Sequence, residues 1–166
     1  EPEIGRNLEL YASCGFVPTL PSCHIRKQLP PDRSQTIPSS IRTARQLGSR
    51  ASTAIKQIRV WANEIFPGLD FTIDLEHFAQ VYPDELLIHF VDDAPRGFLA
   101  YSDGFRSDPW GAVRPGSNDI DTLNALVAAL EATVLDDTLQ FHFHTNFTQL
   151  ENVFRSRGYQ VQDHKT

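Results

Sequence analysis

Residues 85–101, ELLIHFVDDAPRGFLAY, decide the fold. Glu85 to Val91 is a run of β-favouring apolar residues, and Gly97 to Ser102 is a second one. Between them Asp92-Asp93-Ala94-Pro95-Arg96 carries the acidic and proline residues of a chain reversal. The pattern predicts a β-hairpin with a five-residue connection.

Downstream, Trp110 to Arg114 reads as a short strand that ends at Pro115-Gly116. Ser117, Asn118 or Asp119 caps a helix whose apolar face is Leu123, Leu126, Val127 and Leu130. Leu139 to His144 alternates strictly and predicts a strand. Asn146 to Arg157 is an amphipathic helix with Leu150, Val153 and Phe154 inward. Gly158 ends it, and Tyr159-Gln160-Val161 is a last strand. Upstream, Ser49 or Ser52 caps a helix running to about Phe66. Its apolar positions Ala51, Ala54, Ile55, Ile58, Trp61, Ala62 and Ile65 have the spacing of one buried face. Pro67-Gly68 stops it, and Asp74 to Gln80 is a further helical turn. A hairpin followed by strand, helix, strand, helix, strand predicts an α/β fold with a mixed central sheet flanked by helices.

Residues 29–49 read as a linker, because Pro30, Pro31 and Pro38 bar regular structure and Ser, Arg and Gln dominate; Ile41 to Leu47 is at most a helical turn. Before it, Asn7 to Cys14 predicts a short helix closed by Gly15. Phe16-Val17 starts a strand that Pro18 and Pro21 limit and His24-Ile25-Arg26 can resume.

An apolar fraction of 40% and a charged fraction of 22% are those of a globular protein of one ordinary domain, or one domain plus a piece of another. The net charge of −6 argues against a nonspecific nucleic-acid binder. No apolar run reaches the roughly 20 residues of a membrane helix, and the acidic N-terminus lacks the plan of a signal peptide. A cytoplasmic location is the expectation, with Cys14 and Cys23 as reduced thiols. The absence of Met, even at position 1, points to a segment of a longer chain or a processed one.

Two stretches echo each other. Leu10-Tyr11-Ala12-Ser13-Cys14-Gly15-Phe16 and Val153-Phe154-Arg155-Ser156-Arg157-Gly158-Tyr159 share the plan apolar, aromatic, three helix-compatible residues, glycine, aromatic. The element order, Arg96-Gly97-Phe98-Leu99-Ala100, Ala112-Val113-Arg114-Pro115, Asn146 and these two endings resemble the GNAT superfamily of acyl-CoA-dependent N-acetyltransferases. The family's domains close with an "N…LYxxxGF" pattern. The resemblance implies a tandem arrangement. Residues 1–28 would be the C-terminal tail of a first GNAT-like unit, 29–49 a linker, and 50–166 a second GNAT-like domain.

The resemblance also implies a site. Family members hold the CoA pyrophosphate on backbone N–H groups at the start of the helix after the fourth strand, where the helix dipole favours an anion. Here that place falls to Val113, Gly116, Ser117 and Asn118, with Asn146 as a further CoA contact or a helix cap. The family loop carries paired small residues, and this chain has Gly116 alone, followed by Asp119 and Asp121. At roughly 5 Å and an effective dielectric near 20, each such carboxylate costs a phosphate about 3 kcal/mol before screening. The helix-capping role of the two acids is therefore favoured. The family's proton donor is the tyrosine of its ending, a phenol with pKa near 10 that can protonate a departing thiolate. Tyr11 holds that place in the first copy and Phe154, with no proton to give, in the second.

Candidate bases are Glu85, Asp103, His142 and His144, of which Glu85 and His142 lead. Gln140, His142 and His144 share one face of their strand, but no third ligand follows in sequence, so no metal is expected. Two functions lead, ahead of a weaker third, a metal or small-ligand binder built on His142 and His144. The chain is the C-terminal part of an acetyl-CoA-dependent N-acetyltransferase acting on an amine; alternatively it is a non-catalytic GNAT-like domain that shapes an acceptor cleft, packs on a first domain or dimerises. The N-terminal strand is expected to pack on the second domain's sheet or on a partner copy.

Overall fold

The computed structural model describes residues 22–33, 36–65, 68, 70–102, 109–144 and 148–162. The predicted helix at 7–14, the strand start at 16–17, and the candidate residues Tyr11, Asp103 and Asn146 lie outside them. Among the described residues seven strands form one mixed sheet: β1 (Ser22–Gln28), β2 (Ile41–Thr43), β3 (Leu86–Val91), β4 (Ala94–Ala100), β5 (Trp110–Val113), β6 (Thr138–His144) and β7 (Gln160–Gln162), in spatial order β2-β3-β4-β5-β6-β1-β7. Only β5 and β6 are parallel; every other neighbouring pair is antiparallel. The helices are α1 (Ala44–Leu47), α2 (Ala51–Ile65), α3 (Thr72–Val81), α4 (Asp119–Thr133) and α5 (Thr148–Ser156).

Period-two alternation sorts the strands onto two cores. Leu86, Ile88, Phe98, Ala100 and Ala112 pack under α2 and α3 with Ile55, Ile58, Trp61, Phe71 and Leu75. Leu87, Leu99, Val113 and Leu139 pack under α4 and α5 with Leu123, Leu126, Leu130, Leu150 and Phe154. Leu123, Leu126, Val127 and Leu130, the predicted face of α4, are fully buried. Fully burying one such side chain contributes roughly 1.5–3 kcal/mol.

The hairpin is tighter than its sequence predicts. β4 begins at Ala94, so the connection is Asp92-Asp93 alone, with φ of 51° and 58°. Both residues are left-handed, the twist that two-residue hairpins favour, and Asp tolerates it because its short side chain bonds locally. Pro95 is absorbed into β4 opposite Phe90, beside a register shift at His89/Phe90 and beyond the last residue paired with β5. Its missing N–H is therefore not asked to join a ladder on that side.

Residues 41–49, assigned to a linker by composition, belong to the folded unit. Ile41–Thr43 pairs with β3, and Thr43 and Gln46 form a capping box that starts α1. Gln46 N donates to Thr43 Oγ1 at 3.2 Å, and Thr43 N donates to Gln46 Oε1 at 2.9 Å. A 3-10 turn, Gly48–Arg50, then runs into α2, so Ser49 lies inside that turn and Ser52 inside the helix.

The N-terminal strand does pack on the sheet, but inside it. β1 pairs with β6 over seven positions, from Ser22↔His144 to Gln28↔Thr138. It pairs with β7 on its other side, Ile25 opposite Val161. Ile25 is fully buried. At the far end Gly158, with φ of 82°, closes α5: Gly158 N donates to Arg155 O and Tyr159 N to Phe154 O, both at 3.0 Å. That is the glycine-closed helix end that the sequence predicts.

One carboxylate ties these pieces together. Glu131, near the end of α4, accepts from Lys27 Nζ at 2.8 Å, from Tyr159 Oη at 2.9 Å and from Arg157 Nη2. Lys27 also lies 5.0 Å from the centre of the Tyr159 ring. Arg33 Nε donates to Glu131 O at 2.9 Å, and its Nη2 to Val134 O at 2.7 Å. Burial alone would raise the Glu131 pKa; hydrogen bonds from Lys27 and Arg157, the Arg157 charge and the Tyr159 hydroxyl outweigh it and hold the carboxyl below its ordinary value of 4.5.

Two outcomes follow. A depressed carboxyl pKa contributes stability that is present above the unfolded value and is lost as pH falls through the folded one. Urea midpoints of the wild type should therefore drop below pH 4.5, and Glu131→Gln should be less stable at neutral pH, with a weaker acid dependence. Leaving Lys27 and Arg157 without their partner is expected to cost about 3 kcal/mol. Removal of residues 1–28 should abolish a cooperative melting transition in calorimetry, because β7 loses the only ladder it has among the described residues.

Candidate functional site

Where β5 ends, the chain turns through Pro115, Gly116 and Ser117 into α4. Gly116 has φ of 146°, a conformation that side-chain-bearing residues rarely adopt. Gly116, Ser117, Asn118, Arg96, Arg114 and Glu64 surround a polar hollow of about 180 Å³, with Thr122 at its floor. It sits at the end of the sheet where β5 and β6 finish and where α4 presents its first turn.

The hollow's charges are largely spoken for. Arg114 holds Glu64 with a two-pronged contact, Nε to Oε2 at 2.9 Å and Nη2 to Oε1 at 2.8 Å. Both side chains are about a third to a half exposed, so the pair is worth about 1 kcal/mol at most. Arg96 Nε is buried and meets no acceptor among the described residues. At the helix start Asn118 takes the capping position without a side-chain cap bond. Instead Ile120 N donates to Asp119 Oδ1 at 2.7 Å, and Asp119 N donates to Gly116 O at 3.3 Å. Asp119 thus supplies from within the chain the negative charge that the helix N-terminus attracts.

Beneath the hollow lies a buried polar pair. His89 Nδ1 and Thr122 Oγ1 share a hydrogen bond of 3.1 Å, with Thr122 fully buried and His89 nearly so. Burial, opposed by the Asp121 charge, keeps the His89 pKa below its ordinary value of 6.5. Gly97 stands opposite His89 in the ladder, and a Cβ there would come within 2.6 Å of Thr122 Cγ2. The close seating of α4 on the sheet is what the glycine permits. His89 and Thr122 escape a reading of composition. Alternation could have found His89, because it shares its face with Leu87 and so falls on the core side.

The structure gathers Gly116, Ser117 and Asn118 at the hollow. Val113 is 3% exposed and belongs to the core beneath rather than to the lining. Glu85 precedes β3 and His142 pairs with Trp110 at the start of β5. By the register Leu86↔Ala100↔Trp110↔His142 they stand three strands apart, about 14 Å at the usual strand spacing. As candidate bases they belong to separate places along the sheet. Among the described residues no group of three or more His, Cys, Asp or Glu is placed to hold a metal. Among the same residues no helix is long and apolar enough to cross a membrane. The parallel strands β5 and β6 stay paired from Trp110↔His142 to Ala112↔His144, up to the last residue of β6.

No protein-family model and no curated protein matches this sequence.

His89 gives the site a measurable signature. The unfolded chain takes up a proton near pH 6.5 while the folded one resists it, so stability is expected to fall as pH drops below that value. Denaturation of His89→Gln on either side of pH 6.5 should show a shallower fall than the wild type.

Proposed function

We propose that this chain belongs to an acyl-CoA-dependent N-acetyltransferase of the GNAT class, and that residues 22–162 are a non-catalytic GNAT-like domain of it. The observation that supports the class is the arrangement after the hairpin. A strand leads through a turn glycine into α4, and α4 returns to a parallel neighbour inside an otherwise antiparallel sheet. That is the element order on which the resemblance rests.

The non-catalytic role is supported by the hollow at the start of α4. A pyrophosphate there would displace the Asp119 carboxylate from Ile120 N and meet Asp121 close by. Breaking the Glu64–Arg114 contact is the smaller obstacle, about 1 kcal/mol. Each aspartate facing a phosphate is the larger one, about 3 kcal/mol at roughly 5 Å. Glu85 and His142 stand three strands apart along the sheet, and Phe154, fully buried with its ring centre 5.6 Å from that of Tyr159, is a packing residue. In this reading acetyl-CoA and the amine acceptor are handled elsewhere in the enzyme, with Tyr11 the candidate proton donor. The domain described above braces that machinery or its acceptor cleft.

Calorimetric titration of acetyl-CoA into the 166-residue chain should give no saturable heat. The triple variant Glu64→Ala, Asp119→Gly, Asp121→Ala frees the arginines and the helix donors, and it should bind CoA. Saturable binding by the wild type would overturn the non-catalytic role. Failure of the triple variant, still folded by circular dichroism, would overturn the GNAT assignment of the loop.

A further inference from the structure

Two more hollows continue along the same flank of α2, between that helix and the β3–β4 hairpin. The nearer, of about 250 Å³, is lined mainly by Val60, Trp61, Ala94 and Pro95 and closes on the Glu64–Arg114 pair. The farther, of about 270 Å³, is lined by Arg42, Arg50, Ala54, Phe90 and Asp93. Gln57 borders both and stands on the ridge between them.

Their chemistry differs along the groove. Arg42 lies over the Phe90 ring, its guanidinium carbon 5.6 Å from the ring centre, which fixes the cation in place. Neither Arg42 nor Arg50 forms an ion pair among the described residues, although the chain as a whole carries 21 acidic residues against 15 Lys and Arg. Asp93 offsets one of the two charges, so the farther hollow keeps a net positive charge. α2 has no acidic residue in its first turn, so its N-terminus adds to that potential. The nearer hollow is apolar, and Val60 stands 70% exposed at its rim. A valine in that position does little for the helix and buries little, so a surface that covers it would gain apolar contact.

We propose that this groove docks an extended peptide segment of a partner protein, with an acidic side chain in the Arg42–Arg50 hollow and an apolar one over Val60 and Pro95. Ala54 and Trp61 mark the two hollows and lie two helical turns apart, about 11 Å. A peptide in the extended polyproline II conformation, with three residues per turn and a rise of ~3.1 Å, covers that distance in about three residues and brings the first and fourth side chains onto one face, so the docked motif is acidic, two intervening residues, apolar. Gln57, whose side chain makes no hydrogen bond among the described residues, faces the intervening peptide bond with both a donor and an acceptor. Recognition runs through side chains rather than by adding a strand to β2. The outward N–H groups of β2 are already used, Ile41 N by Pro38 O and Thr43 N by Gln46 Oε1, both at 2.9 Å.

Fluorescence anisotropy tests this with two labelled peptides, Gly-Glu-Ala-Ala-Leu-Gly and its Lys-for-Glu counterpart, titrated against the whole chain. The acidic peptide should bind at least roughly tenfold tighter at low salt, and the preference should shrink as salt screens it. The double variant Arg42→Ala, Arg50→Ala and the single variant Val60→Lys should each weaken the acidic peptide about tenfold. Both change exposed or half-exposed side chains, and circular dichroism confirms their folding. Equal affinity for the two peptides, unchanged affinity in either variant, or no binding at about millimolar peptide would overturn the proposal. So would a wild-type dimer in size-exclusion chromatography that Val60→Lys dissolves, since the occupant would then be a second copy.

Discussion

β1 is the constraint on which this architecture depends. A strand between two others supplies both of its hydrogen-bonding edges, and β1 supplies them to β6 and β7. Without it, β6 becomes an edge and β7, three residues long, has no ladder among the described residues. The Glu131 carboxylate fastens the same junction from the side, reaching Lys27 on β1 and the Arg157–Tyr159 corner that leads into β7. Three cationic or hydroxyl donors around one mostly buried carboxylate make that contact strong, because each donor would otherwise be left unsatisfied out of water.

The hollow at the start of α4 shows how a helix N-terminus can be answered from within its own chain. Gly116 keeps the turn and the first helical turn keeps its direction. The donors, however, are answered by Asp119 and by Gly116 O. The sheet below is equally closed, since β5 and β6 remain paired to the last residue of β6. His89 and Thr122 fill the layer beneath with a hydrogen bond of their own. The result is a rigid corner whose polar groups are mostly satisfied by one another.

Much of the fold was legible in the sequence, and the reasons are local. The apolar spacing of Ala51 to Ile65 names a helix and its buried face, and the structure buries that face. Gly158 announces the end of α5 because only a left-handed residue closes that turn cheaply. Composition failed where polar residues do structural work. Arg42 and Gln46 look like linker residues, yet one lies on a strand and the other completes a capping box. The five-residue hairpin connection was an overestimate, because Asp92-Asp93 accepts a conformation usually left to Asn-Gly, and Pro95 could enter β4 past the end of β5. Of the candidate site, Gly116 to Asn118 stood together because they are consecutive. Glu85 and His142 did not, because their separation is set by strand order, which residue types alone do not reveal. The Glu131 cluster joins positions more than a hundred apart and leaves no local signal.

The place of β1 also sets an order of events during synthesis. Gln28 and Thr138, hydrogen-bonded neighbours in the finished sheet, are 110 positions apart, and His24 and Gln162 are 138 apart. The antiparallel unit β2 to β5 can form while the rest of the chain is still being made, but neither of the described partners of β1 is available until α4 and β6 have left the ribosome. At about 5–20 residues per second that wait is on the order of ten seconds. Contacts so distant in sequence are also the slowest to close. Within residues 22–162 the sheet therefore closes last where its two most distant stretches of chain meet, at β1 between β6 and β7.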